Sequence, residues 1–159
     1  MLVSFPPTCT HLSINQTPIN PQILITFAVK IKRVGLVEAT ILLSNAKDVS
    51  LIPMEIRCLV DTGATYLCIP ETIALQLKLE ELQKRDVKRA NGHVVEVPYV
   101  GPVKVQFENR ICFVGAMVMG DTPLLGAIPM EDMDLLIHPK LQKLTVYPDR
   151  PNVAGGLAM

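Results

Sequence analysis

The sequence has no excess of charge of either sign: 15 Lys+Arg balance 15 Asp+Glu across 159 residues. A pI near 6.8 gives no electrostatic footprint for duplex nucleic acid or an anionic membrane, so partners of neither kind are expected. Long apolar runs are also missing. The longest near the N-terminus is Ile23-Leu24-Ile25, then Thr26, then Phe27-Ala28-Val29. That falls short of the ~20 apolar residues that span a bilayer. A secretory signal would place basic residues ahead of such a run, and none precedes Lys30. Cys9, Cys58, Cys68 and Cys112 form no Cys-x-x-Cys pair and have no His at a zinc spacing, so neither a metal nor another cofactor is expected. The apolar surroundings of Cys58, Cys68 and Cys112 read as buried free thiols in a reducing compartment, which places the protein in the cytoplasm. Finally, the chain is too short for two independent cores. An activity needing two catalytic lobes has to take the second from another chain.

What is present points to one β-rich domain. Hydrophobic residues make up 49%, enough for a core, and 13 prolines argue against long helices. Residues 1–33 carry Pro6-Pro7, Pro18 and Pro21 without sustained periodicity and read as an irregular extension. The compact body is expected over 34–148, followed by a mobile tail, 149–159. Strands are expected at 36–43, 52–60, 67–69, 103–107, 111–119 and 144–147. Pro70 opens a short helix over 71–77, and Pro129 opens a second over 130–137. Asn91-Gly92 is the strongest hairpin turn, because both centres of a type I′ turn need positive φ.

One segment carries chemistry: Cys58-Leu59-Val60-Asp61-Thr62-Gly63-Ala64-Thr65. An apolar strand delivers a carboxylate, then a hydroxyl, then a residue without a Cβ that lets backbone N–H groups approach the carboxylate. Asp, Thr and Gly are also ordinary turn residues, so the tripeptide alone decides nothing. Phosphatases with a nucleophilic Asp place a second Asp two positions on, where this chain has Gly63. The Asp-x-Gly-x-Thr turn of sugar-kinase and actin-like ATPases matches 61–65 literally. Those folds need two large lobes and a second glycine-rich phosphate loop, which 9 glycines in 159 residues do not supply.

Together with Leu124-Leu125-Gly126 downstream, Leu59-Val60-Asp61-Thr62-Gly63-Ala64 resembles the paired signatures of retropepsin-like aspartic proteases in their single-lobed, bacterial-type form. The similarity covers residues 34–148. It implies a mostly β fold, a closed β-barrel acid-protease half-lobe with one or two short helices, active as a two-fold homodimer. Asp61, Thr62 and Gly63 would be catalytic, and Ala64, Leu124, Leu125 and Gly126 would support the turn. The hairpin Ala90, Asn91, Gly92 and His93 would be the flap that closes over a peptide or protein substrate. His93 is expected to face solvent, while His11 and His138 belong to no constellation.

Each subunit of that family supplies one Asp. Asp121-Thr122-Pro123 is a poor second site, since Pro123 fixes φ and removes an N–H. Asp61 would therefore meet Asp61 of the partner subunit. Two carboxylates ~3 Å apart at an effective dielectric near 20 repel by roughly 5 kcal/mol, so the pair shares one proton. The ionised member takes a proton from water and the protonated member bonds to the peptide carbonyl. Lys84, Arg85, Lys88 and Arg89 make the approach to the flap basic; such a run is usually a solvated face, and the alternative is that it favours acidic substrate residues. Two other readings stand beside the endopeptidase. One is a catalytically silent dimerisation or peptide-binding module, and the other a protease latent until residues 1–33 are removed.

Overall fold

The computed structural model describes residues 35–88 and 92–155; the extension 1–33 and residues 34, 89–91 and 156–159 lie outside the described residues. Strand β1, Val37–Asn45, turns Val37, Ala39, Ile41 and Leu43 inward and Glu38 and Thr40 outward, the period-two pattern of a half-buried strand. It pairs antiparallel with β2, Met54–Val60, with Leu43 opposite Met54 and Val37 opposite Val60. β2 starts later than the expected 52–60. Pro53 has no N–H to give a ladder, and Ile52 is exposed.

The remaining elements are β3 (Leu67–Ile69), α1 (Glu71–Gln76), β4 (Glu80–Lys88), β5 (Val94–Phe107), β6 (Arg110–Val118), β7 (Leu124–Leu125), α2 (Ala127–Asp132), β8 (Leu135–His138) and β9 (Lys143–Val146). Seven strands form one sheet in the order β1-β2-β7-β3-β6-β5-β4, and a further β1–β5 pairing closes six of them into a barrel. Closure removes free edges from the barrel strands, and its interior is filled by Leu43, Leu67, Ile69, Val103, Val105 and Leu125, all fully buried. The fold is thus mostly β with two short helices among the described residues, as the sequence implies.

β5 serves two structures. Its second half, Val103 to Gln106, pairs with β1 inside the barrel, whereas Val94 to Gly101 pairs with β4. The register slips by a bulge between Val100 and Val103, where the strand changes partner. β4 and the first half of β5 therefore form an arm beyond the barrel wall. No strand is expected at 80–88 from sequence, since only Leu82 and Val87 are apolar there. One face of β4 is solvated and the alternation that marks a strand is missing.

The second helix also departs from expectation. It runs from Ala127 to Asp132 rather than over 130–137, with Gly126 as its N-cap and Pro129 inside its first turn. Asp134 takes φ 53 and ends the helical path, and Leu135–His138 pairs with Lys143–Val146 as a two-stranded sheet. A short apolar run such as Leu135-Leu136-Ile137 fits strand or helix equally, and pairing decides. Residues 149–155, placed on sequence in the tail, lie against the body. Asn109 Nδ2 donates to the Pro151 carbonyl at 2.8 Å, Arg110 donates to the Arg150 carbonyl, and Arg150 Nε pairs with Asp134 at 3.1 Å.

Candidate active site

Asp61 follows the last residue of β2, and its position is set by the strand beside it. β7 lies between β2 and β3, parallel to the first (Leu59 to Leu124, Val60 to Leu125) and antiparallel to the second (Cys68 to Leu124). The Asp61 N–H donates to the Leu125 carbonyl at 3.1 Å, and the Leu59 N–H to the Pro123 carbonyl at 2.9 Å. On the far side of the turn, Ala127 N–H donates to Ala64 (2.8 Å) and Ile128 N–H to Thr65 (3.0 Å). Four backbone bonds therefore clamp 59–65 onto 123–128, two stretches some sixty residues apart in sequence.

Gly126 is the residue that permits this approach. A Cβ there would lie 2.3 Å from the Tyr66 carbonyl oxygen and 2.7 Å from that of Ala64, both backbone atoms that cannot swing aside. Its backbone is extended (φ −86°, ψ −176°), so the requirement is space and not a left-handed angle. The Leu124-Leu125-Gly126 signature thus reads physically: an apolar strand plugs the barrel, and a glycine lets the Asp61 loop close over it.

Within the turn, the Gly63 N–H donates to Asp61 Oδ1 at 2.8 Å, holding the carboxylate over its own loop. The Ala64 N–H bonds instead to the Asp61 main-chain carbonyl at 3.2 Å, so within this chain Ala64 shapes the turn without touching the carboxylate. Thr62 and Gly63 are exposed and Asp61 is half-buried. Asp61 and Thr62 line an open cavity of about 510 Å³ together with Leu36, Leu59, Ile137 and Pro139. Asp121 is exposed in the bend before β7, a loop position as expected.

The arm of β4 and β5 packs against β3, β6 and β7 beside this turn. Its Val97 is buried with Cys68 and Met117, and Val87, Val95, Tyr66, Tyr99 and Leu124 pack around them. Cys68 lies near enough to Asp61 that burial first, and then the carboxylate's charge, raise its thiol above the usual range. Gly92, at φ 83, and His93 are exposed at the base of the arm's tip, while Ala90, Asn91 and Arg89 lie outside the described residues. Burial also pushes the Cys58 and Cys112 thiols up to about 12. These are core residues, not nucleophiles. Among the described residues no three His, Cys, Asp or Glu side chains gather as a metal site. No helix among them is long and apolar enough to cross a membrane.

Sequence reasoning misses the aromatic pair that joins the arm to the end of the Asp61 loop. Tyr66 and Tyr99 meet edge to face at 5.9 Å, with Arg85 over both rings. The three are far apart in sequence and share no local pattern.

A six-stranded barrel with an Asp-Thr-Gly turn latched by an apolar-apolar-Gly strand, and a two-stranded arm beside it, defines the single lobe of an aspartyl protease. Residues 48–131, more than half of the chain, match the family described as "gag-polyprotein putative aspartyl protease". The chain belongs to this retropepsin-like aspartyl protease family. No curated protein matches it.

Proposed function

We propose that the protein is an aspartic endopeptidase that hydrolyses peptide bonds with water activated between Asp61 and Asp61 of the partner subunit. The observation that carries this reading is the latched turn. The Asp61 carboxylate is held by the Gly63 N–H at 2.8 Å on a loop clamped by Leu125 and Ala127. Such a turn positions a carboxylate without burying it, which suits a group that has to meet a second carboxylate and a water. Across the two-fold axis, Thr62 would bond to the opposite turn and hold the two loops in register.

Repulsion between the two carboxylates keeps one proton in the pair. The ionised Asp61 removes a proton from water as its oxygen attacks the peptide carbonyl carbon. The protonated one donates to the carbonyl oxygen, giving a neutral tetrahedral diol. Proton transfer to the leaving nitrogen then breaks the C–N bond, releasing an amine and a carboxylic acid. The arm of β4 and β5 closes over the bound segment and excludes bulk water. Three buried free thiols favour a reducing compartment, and we place the protein in the cytoplasm.

The test is Asp61→Asn against wild type on a peptide library between about pH 4 and 8. Cleavage by wild type, reduced at least about a thousandfold by the substitution, is expected. Equal cleavage by both refutes the assignment. No cleavage by either, from a folded dimer, favours a peptide-binding module.

A further inference from the structure

The arm carries a cation whose surroundings differ from those of its neighbours. In the β4–β5 ladder, Gln83 stands opposite Tyr99, Arg85 opposite Val97 and Val87 opposite Val95. Directly opposed residues share a face of the sheet, so these six form the inner face, the one packed towards Cys68, Met117 and Leu124. Lys84 alternates to the outer face and is paired with Glu96 at 3.0 Å.

Arg85 is half-buried, and among the described residues no carboxylate pairs with it. Its guanidinium carbon lies 3.7 Å from the Tyr99 ring centre and 4.8 Å from that of Tyr66. The Gln83 carboxamide oxygen, in the orientation that satisfies both groups, accepts from Nε and Nη2, each at 2.8 Å. Tyr99 is itself seated tightly, since a Cβ on Gly115 would lie 2.2 Å from its ring. The guanidinium is thus held in place by two rings and an amide, yet its Nη1 donors have no partner among the described residues. Those donors remain available to an incoming anion.

We propose that Arg85 forms a subsite for an acidic side chain of the peptide bound at Asp61. The site selects substrates with Asp or Glu at one position near the scissile bond. This rests on the endopeptidase reading above. Among the described residues of the arm's inner face, Arg85 is the one charged side chain, and it lies beside Tyr66, which follows the Asp61 turn by five residues. A planar fork already fixed by stacking loses little rotamer freedom on meeting a carboxylate, which it can bind through two parallel bonds. Lys84, paired with Glu96 on the outer face, offers no such group, and Lys88 alternates to that same face.

The experiment compares peptides that differ only by Glu against Gln, scanned position by position. It reads kcat/KM for wild type and Kd for the uncleaving Asp61→Asn protein. A Glu preference of roughly tenfold at one position is expected in both readouts. Arg85→Glu should reverse it to a preference for Gln, while Lys84→Glu, an equal charge change on the outer face, should leave the ratio where it was. The ratio is internal to each variant, so loosening of the arm affects both peptides alike. Cleavage by wild type with no Glu preference at any position, or the same preference in Arg85→Glu, overturns the subsite and leaves the protease intact. A Glu preference in Kd without turnover by wild type overturns the protease and supports the subsite. Neither turnover nor preferential binding overturns both.

Discussion

At the scale of single residues, the smallest side chains set the site. Gly126 occupies a gap bounded by two carbonyl oxygens, and those belong to the loop that carries Asp61. Gly126→Ala forces the Asp61 loop off β7, because neither Ala64 nor Tyr66 can yield without breaking the bonds from Ala127 and Asp61. The substitution should lower stability by about 2–3 kcal/mol, typical of overpacking against rigid atoms. Read from urea melts, it would appear as a lower midpoint with unchanged slope, together with a loss of cleavage larger than the unfolded fraction explains. Activity at wild-type level in the folded Gly126→Ala protein would mean that the latch does not position Asp61. Asp61, Thr62, Gly63 and Leu124 to Gly126 are all legible in the sequence because each signature is a contiguous string. The clamp between them is visible only as two strings in the right order. Arg85, Tyr66 and Tyr99 are not legible, since a cation–aromatic cluster depends on strand register and leaves no local pattern.

At the scale of elements, α1 depends on a side chain from β1. Asn45, the last residue of that strand, is buried, and its Nδ2 donates to the carbonyls of Leu77 (3.0 Å) and Lys78 (3.2 Å) at the end of the helix. Its Oδ1 accepts from the N–H groups of Lys47 (2.8 Å) and Asp48 (3.2 Å), closing the turn after β1. One amide thus satisfies both a helix C-terminus and a loop, two places where backbone groups otherwise lack partners. Asn45→Ala should cost about 2 kcal/mol by stranding these groups. Amide exchange would locate the damage: protection should fall first in Lys47, Asp48 and the α1 end, and not in β5 or β6. Uniform loss of protection would show that the barrel and α1 unfold as one unit. The elements that sequence misplaces share a physical cause. β4 is charged on its outer face and lies beyond the barrel, so burial does not impose alternation on it. β8 opens with the unbroken apolar run Leu135-Leu136-Ile137, and only its pairing with β9 decides between strand and helix. The barrel strands β1, β2, β3 and β6 are legible because one face of each fills the core.

At the scale of the whole molecule, one lobe offers one Asp-Thr-Gly turn, and the proposed chemistry needs two. Asp121 is exposed in a bend and has no latch equivalent to Leu124 to Gly126, so the proposed chemistry takes its second carboxylate from a second copy. Zero formal net charge removes the bulk Coulomb repulsion that would oppose pairing with an identical chain. A two-fold axis passing by the turn would bring the exposed Thr62 and Gly63 of each copy face to face, because an isologous contact uses the same patch twice. Subunit mixing tests this directly. Add Asp61→Asn subunits to an equal amount of wild type under conditions where both are dimeric, and allow exchange. Half of the wild-type subunits then sit beside a partner that lacks the carboxylate, so activity should fall to about half. A protein that works as a monomer, or through another acid within its own chain, would lose nothing. Dilution gives the second arm: specific activity should fall as the dimer dissociates and return when the protein is concentrated. Sedimentation across the same range has to place the fall at the monomer–dimer midpoint. A fall without dissociation would separate assembly from catalysis and remove the symmetric site.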